Sequence, residues 1–388
     1  MKYDILIRGG DVVDPSQSLR GVRDIGIRDG VIVAVDEQLS GADAEWTIDA
    51  RGEYVVPGLI DLHVHVYPGH IRLGLEPDPL CPAGGVTTML DTGSAGCTNF
   101  GGFRRDIIDR AQTEIFGLVN LSRIGLVADD LGELFDRRYA DPDGVVRTIR
   151  QHPDRAVGVK IRASAHIIGK GEDGWANFHD AVGAARESGT WLMIHIGESP
   201  MSIPEMLEHL QPGDCITHCF KGGSERILDP QGRIFDEVRV AAEKGIIFDV
   251  GHGAGSFQWE VVEACLEQGF EPTTISTDLH MRNIHGPVYD MPTTMSKFLN
   301  MGLSLEKVIE MSTTRPAAIL KMENEIGTLR VGTRADVAVL EKQEGPFVFT
   351  DSYGQTRQGD QLLVAAATVR RGEIVPGGGG TRMRHLAR

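Results

Sequence analysis

The chain has 388 residues, 41% hydrophobic and 24% charged, with a formal net charge of −16. That length suffices for one large domain plus a smaller one, and the composition is ordinary for a globular protein. Such acidity argues against a nucleic-acid binder, which carries a basic patch. No apolar run is long enough to span a bilayer as a helix.

Five cysteines, Cys81, Cys97, Cys215, Cys219 and Cys265, are odd in number and scattered. They make no disulfide framework, so reduced thiols in the cytoplasm are expected. The start, Met1-Lys2-Tyr3-Asp4, lacks the apolar core of a signal peptide.

From about residue 3 to 55 the chain reads as short strands. Asp4–Arg8, Asp11–Asp14 and Asp24–Arg28 are followed by an Asp29-Gly30 hairpin signal and Val31–Val35. At Val56 the texture changes. The stretch Val56-Pro57-Gly58-Leu59-Ile60-Asp61-Leu62-His63-Val64-His65 reads as one buried strand ending in two histidines. Alternate strand residues face one side, so both imidazoles point the same way.

Seven more apolar runs follow: Gly85–Leu90, Ile115–Leu121, Ala156–Ile161, Trp191–His195, Ile216–His218, Gly245–Val250 and Thr274–Asp278. Helical patterns lie between them, as at Trp175–Ser188, Phe235–Lys244 and Trp259–Gln268. This rhythm predicts an α/β fold, a (β/α)₈ TIM barrel over 56–321. A doubly wound open sheet competes, but no Gly-rich phosphate loop follows a strand. The β texture returns at Gly327–Leu340, Leu362–Val369 and Glu373–Val375. Segments 1–55 and 322–388 are therefore expected to pair into one small composite β domain, with a mobile Gly-rich and basic tail from Gly377 to Arg384.

Barrel active sites sit at the C-terminal ends of the strands. The polar residues there are His63 and His65 on the first, Lys160 on the fourth, His195 on the fifth, His218 on the sixth and Asp278 on the eighth. A lysine inside Val157-Gly158-Val159-Lys160-Ile161 would be buried, and lysine is almost never buried unpaired. A neutral amine there can take up carbon dioxide and become a bidentate carbamate. Histidine is the commonest metal ligand, and a carboxylate such as Asp278 can both bind a metal and exchange a proton with water.

With these residues in place, the chain resembles the amidohydrolase superfamily of metal-dependent hydrolases. The resemblance rests on Val56–His65, the Gly84-Gly85-Val86-Thr87-Thr88 strand, a late helix reading Met311-Ser312-Thr313-Thr314-Arg315-Pro316-Ala317-Ala318, and Gly327–Leu340. It implies two divalent ions, with zinc usual. His63, His65, Lys160 and Asp278 would surround one, and carboxylated Lys160, His195 and His218 the other. It further implies that the terminal β pieces form a β-sandwich and that the enzyme self-associates.

Dihydroorotases place an arginine two residues after the second histidine, where this chain has Tyr67. Mononuclear deaminases use no lysine on the fourth strand. The pattern His63–Gly69 with Gly158–Arg162 is most similar to the amidohydrolase/deacetylase group, whose members hydrolyse N-acetyl D-amino acids and acyl esters of 2-hydroxy acids. The expected activity is hydrolysis of an amide or ester in a small carboxylate-bearing substrate, with Asp278 exchanging the proton. A cyclic amide hydrolase of hydantoinase or dihydroorotase type is the alternative, and a non-catalytic relative the more distant one. Arg162, two residues beyond Lys160, is expected to clamp the substrate carboxylate. Tyr67 and His252 are further substrate-binding candidates, with His280 and His285 behind them.

Overall fold

Residues 2–39, 43–375 and 386–387 are described in a computed structural model of the chain. Alternating apolar residues at the N-terminus build one face of a sheet. β1 (Lys2–Asp14) buries Ile5, Ile7 and Val12 and pairs antiparallel with β2 (Leu19–Arg28). The Asp29-Gly30 turn, with φ of 53° and 75°, leads into β3 (Val31–Asp36). β4 (Asp43–Asp49) and β5 (Tyr54–Pro57) run parallel to β1.

The stretch expected to be one strand is two. Tyr54–Pro57 belongs to the terminal sheet, whereas the barrel begins after Gly58 with β6 (Leu59–Val64). Then come β7 (Val86–Gly96), β8 (Glu114–Asn120), β9 (Ala156–Arg162), β10 (Trp191–His195), β11 (Cys215–Thr217) and β12 (Ile247–Asp249). These seven pair in parallel, each with its sequence neighbour.

The eighth run closes the ring without a regular ladder. Thr274 bridges to Asp249 on one side, and Leu279 bridges to Val64 on the other. Its polar groups turn to carboxylates instead. The Thr274 and Ser276 hydroxyls donate to Asp249, at 2.6 and 2.8 Å, and the Thr277 amide donates to Asp61 at 3.0 Å.

The expected helices form at Gly171–Ser188, Asp236–Glu243 and Trp259–Glu267. The late motif is two helices, Leu305–Ser312 and Thr314–Ile319, broken at Thr313. Pro316 sits in the first turn of the second, where a missing N–H is tolerated.

β13 (Val337–Thr350), β14 (Thr356–Arg370), β15 (Glu373–Ile374) and β16 (Leu386–Ala387) complete the terminal sheet. β13 pairs with β5 and β16 with β4, so strands from both ends share one sheet. Ile7, Ile25, Val55, Val337 and Val369 pack together in its core. The β13–β14 hairpin runs longer than the apolar pattern indicated, because Glu341–Glu344 alternates partly buried with exposed polar residues. Its tip, Asp351–Gln355, reaches the loops at the barrel mouth, where the Ser352 amide donates to the Phe257 carbonyl at 2.9 Å. The expected tail, Gly377–Arg384, lies outside the described residues. Among the described residues no helix is long and apolar enough to cross a membrane.

Candidate metal centre

Strand periodicity and closure of the ring bring the expected residues together. His63, His65, Lys160, His195 and Asp278 all line one cavity of about 620 Å³. His218 adjoins it, its Nε2 2.8 Å from His195 Nδ1. Asp278 Oδ1 is 3.4 Å from His63 Nε2 and 3.3 Å from His65 Nε2. The tightest trio, His63, His218 and Asp278, offers ligand atoms within 4.8 Å of one another. That trio crosses the two ligand sets that the resemblance implies.

Three of the imidazoles are aimed by their other nitrogen. His63 Nδ1 meets the Thr217 hydroxyl at 2.9 Å, which in turn donates to Asp249 at 2.7 Å. His65 Nδ1 meets the Ser94 hydroxyl at 2.9 Å, and the Ser94 amide donates to Asp91 at 2.8 Å. His218 Nδ1 donates to the Gly251 carbonyl at 2.6 Å. Such outer partners fix the tautomer and turn the other nitrogen toward the cavity, where that of His218 meets His195 Nδ1. Thr217, Asp249, Ser94 and Gly251 were not anticipated as site residues. A Cβ on Gly251 would come within 2.8 Å of His218 Nδ1 and 3.0 Å of His63 Nδ1, so only glycine fits.

Electrostatics favours the unprotonated donor set. Burial lowers His218 to about 4 and holds His63 and His195 well below their usual value. Burial pushes the Asp278 carboxyl up, but the close approach of His65 and the neighbouring His280 and His218 outweigh it and bring it to about 2. Burial lowers Lys160 to about 8. Its Nζ touches Met193 Sδ at 3.3 Å and forms no ion pair among the described residues. Gly93 makes room for it, since a Cβ there would lie 2.8 Å from Lys160 Cβ and Cγ.

Two of these positions carry backbone strain. His218 has φ of 67° and Asp278 of 49°, a region costing non-glycine residues of order 1–3 kcal/mol that persists where surroundings over-determine it. Asp278 Oδ1 is buried without a hydrogen-bond partner. An orphaned carboxylate oxygen facing the imidazoles of His63 and His65 fits a divalent cation, which imidazole and carboxylate donors together suit.

The expected substrate residues fare differently. Arg162 lines the cavity, but its Nε and Nη2 donate to buried Glu133 at 2.8 and 2.5 Å. Tyr67 does not line the cavity. It is buried against Phe103 and stacked on His70, with ring centroids 4.7 and 4.2 Å away. The chain turns after His65, so strand parity no longer carries Tyr67 inward; His65 is the last residue bonded to the eighth run. His252 is likewise outside the cavity, stacked on Phe257 with centroids 4.3 Å apart. His280 does line the cavity, and His285 is exposed.

His252 serves instead as a partner of buried Lys297, whose Nζ lies 2.6 Å from His252 Nε2, 3.0 Å from the Pro287 carbonyl and 2.7 Å from the Thr350 carbonyl. Burial lowers this lysine from 10.5 to about 7. Between those values the unfolded chain holds a proton that the folded chain has released, so stability rises with pH across that window. Below pH 7 both states are protonated and the full penalty applies. Urea unfolding at pH 7 and 9 should show this rise, up to about 1.4 kcal/mol per unit. Lys297→Met should flatten it, and an undiminished rise in the variant would contradict the assignment.

Comparison with known proteins agrees with the geometry. The amidohydrolase family model matches residues 54–360. A curated relative from Brucella anthropi, named deacetylase, is 37% identical over 87% of this chain and 83% of its own. Two crystal structures, titled an adenine deaminase and a dihydroorotase, superpose with TM-scores of 0.88 and 0.87 at 36% and 34% identity. Each match covers 96% of this chain and 99% of the other. The ring of seven parallel strands closed by an eighth run, the histidines and aspartate at its mouth and a family match over most of the length agree: this chain belongs to the amidohydrolase family, as a hydrolase acting on carbon–nitrogen bonds.

Proposed function

We propose that the chain is a binuclear metal-dependent hydrolase that removes an acyl group from a small carboxylate-bearing substrate, either an N-acetyl D-amino acid or an acyl ester of a 2-hydroxy acid. One observation carries the reading. A buried lysine amine without a carboxylate partner lines the same cavity as three histidines and an orphaned aspartate oxygen. The deacetylase name of the Brucella anthropi relative supports the choice of reaction.

In this reading His63, His65, Lys160 and Asp278 hold one ion, and Lys160, His195 and His218 hold the other. Zinc is the ion we assign. The Lys160 nitrogen bonds to the carbon of carbon dioxide and releases one proton, giving a carbamate with two ligand oxygens. When bound, the cations supply Lewis acidity, which acidifies water and polarises a carbonyl. The chain's own residues do the rest. Asp278 takes the proton of the attacking water and gives it to the leaving nitrogen or oxygen. The bonds from Thr217, Ser94 and Gly251 keep the imidazoles from turning as charge develops.

The same reading takes the two terminal segments, the first now extended through Pro57, as the halves of a composite β-sandwich around a barrel that begins at Leu59. It also takes the enzyme as cytoplasmic and self-associating. All five cysteines are free, which suits a reducing compartment.

Enzyme reconstituted with zinc and bicarbonate should hydrolyse one enantiomer of an N-acetyl amino acid or 2-acyloxy acid faster than any cyclic amide. The neighbour titled dihydroorotase supplies the rival. Faster opening of dihydroorotate or a hydantoin would replace deacylation with cyclic amide hydrolysis.

A further inference from the structure

The cavity holds more cations than the reaction needs, and they are not equivalent. Arg162 is tied to Glu133 through two hydrogen bonds, and Glu133 is fully buried. A substrate carboxylate would meet that pair as a dipole of no net charge. Arg282 pairs with Asp129 at 2.9 Å and Arg72 with Asp130 at 2.6 Å, both half or more exposed. Lys160 stands among the histidines. Lys221 differs from all of these. It lines the cavity, is only partly exposed, and forms no ion pair among the described residues. Its Nζ donates to the Gly222 carbonyl at 3.0 Å, while Glu198 and Glu225 act on it from beyond ion-pair reach.

Lys221 is also held in place. Its amide donates to the His218 carbonyl at 2.9 Å, which fixes it against the sixth strand's end. The next amide, of Gly222, donates to Tyr353 Oη at 3.1 Å, and that hydroxyl donates to the Gly255 carbonyl at 3.1 Å. Tyr353 stands at the tip of the β13–β14 hairpin. The terminal sheet thus ties together two loops that line the cavity, one carrying Lys221 and the other Gly255.

We propose that Lys221, not Arg162, is the residue that selects substrates bearing a carboxylate. This rests on the deacylase reading above. An ammonium has three donors; one is used on Gly222, and two remain to meet a carboxylate. No carboxylate is in ion-pair contact with it among the described residues, and Glu198 and Glu225 act only from farther off, so an incoming anion can become its first direct partner. Tyr353 holds the lysine's peptide before substrate arrives, which reduces the ordering cost of binding.

The test uses a matched pair, N-acetyl-D-phenylalanine and its carboxamide, on the zinc-loaded wild type, Lys221→Met and Lys221→Arg. Both kcat and KM, and equilibrium binding of the same pair, are measured. Wild type should favour the acid. Lys221→Met should lose about 10- to 100-fold in kcat/KM for the acid, mainly through KM, the scale of a hydrogen bond between charged groups. The carboxamide should be unaffected, and Lys221→Arg should keep most of the preference. An acid preference surviving in Lys221→Met, or an equal loss on acid and carboxamide, overturns the assignment. Failure of the deacylase reading looks different: the acid binds in preference, through Lys221, but is not hydrolysed.

Discussion

Lys160→Ala should yield a folded protein that has lost its metal and its turnover. Replacing even an outer partner of a metal ligand costs about 10- to 100-fold in affinity or activity. A side chain proposed to serve both ions should cost more than that, so residual activity should be below about one hundredth. The fold should tolerate the change. The Lys160 amine makes no ion pair among the described residues, and its contact is the weak acceptor Met193 Sδ. Burial disfavours its charged form, so removing the amine relieves a desolvation penalty while leaving a cavity. The two effects oppose each other, and the unfolding temperature of the metal-free variant should stay near that of the metal-free wild type. Lys160→Met, which keeps the stem against Gly93, should behave alike in metal content and be the more stable of the two. A short carboxylic acid added at high concentration should restore part of the activity in Lys160→Ala, since it supplies the missing charge to the space left. Normal zinc content and turnover in Lys160→Ala would remove the bridging role.

Much of this centre was legible because it violates the pattern around it. A lysine in Val157–Ile161, histidines closing Leu59–Val64 and Trp191–Ile194, and an aspartate ending Thr274–Thr277 all stand where burial demands apolar residues. The eighth run was legible for the same reason, although it forms two bridges rather than a ladder. What failed to show has equally physical causes. Period-2 reasoning placed Tyr67 inside, but it holds only while the chain remains a strand, and the chain leaves the barrel wall after His65. His252 was a substrate-binding candidate; its nearest side-chain partner is Lys297, on a helix (Met291–Asn300) whose pattern gave no hint of a buried cation. Ser94, Thr217 and Asp249 went unremarked because short polar residues in a strand carry no signal until their neighbours are known. Arg162 was read from parity correctly as far as its direction goes. Its pairing with Glu133, 29 residues away in sequence, could not be read from the chain.

Asp278→Asn isolates the proton step from the architecture. The residue sits at φ of 49°, and asparagine visits that region at least as readily as aspartate. The Asp278 backbone carbonyl, which accepts from Asn283 Nδ2 at 2.7 Å, is untouched. What changes is charge. The neighbouring imidazoles hold the carboxyl well below the usual carboxylate range, so at neutral pH it is ionised and carries the lone pair that a proton would take. The amide cannot accept one. General acid–base groups contribute about 10²- to 10⁴-fold, and kcat should fall by that range at every pH. Because Asp278 is also a ligand in the proposed set, metal content should drop in part, with the other donors retaining some. Activity normalised to bound zinc separates the two effects: the normalised kcat should still be down by about 10² or more. A normalised kcat within tenfold of wild type would leave Asp278 as a ligand alone and require another proton carrier. His280, which lines the same cavity with its ring centroid 6.3 Å from that of His65, would be the next residue to substitute.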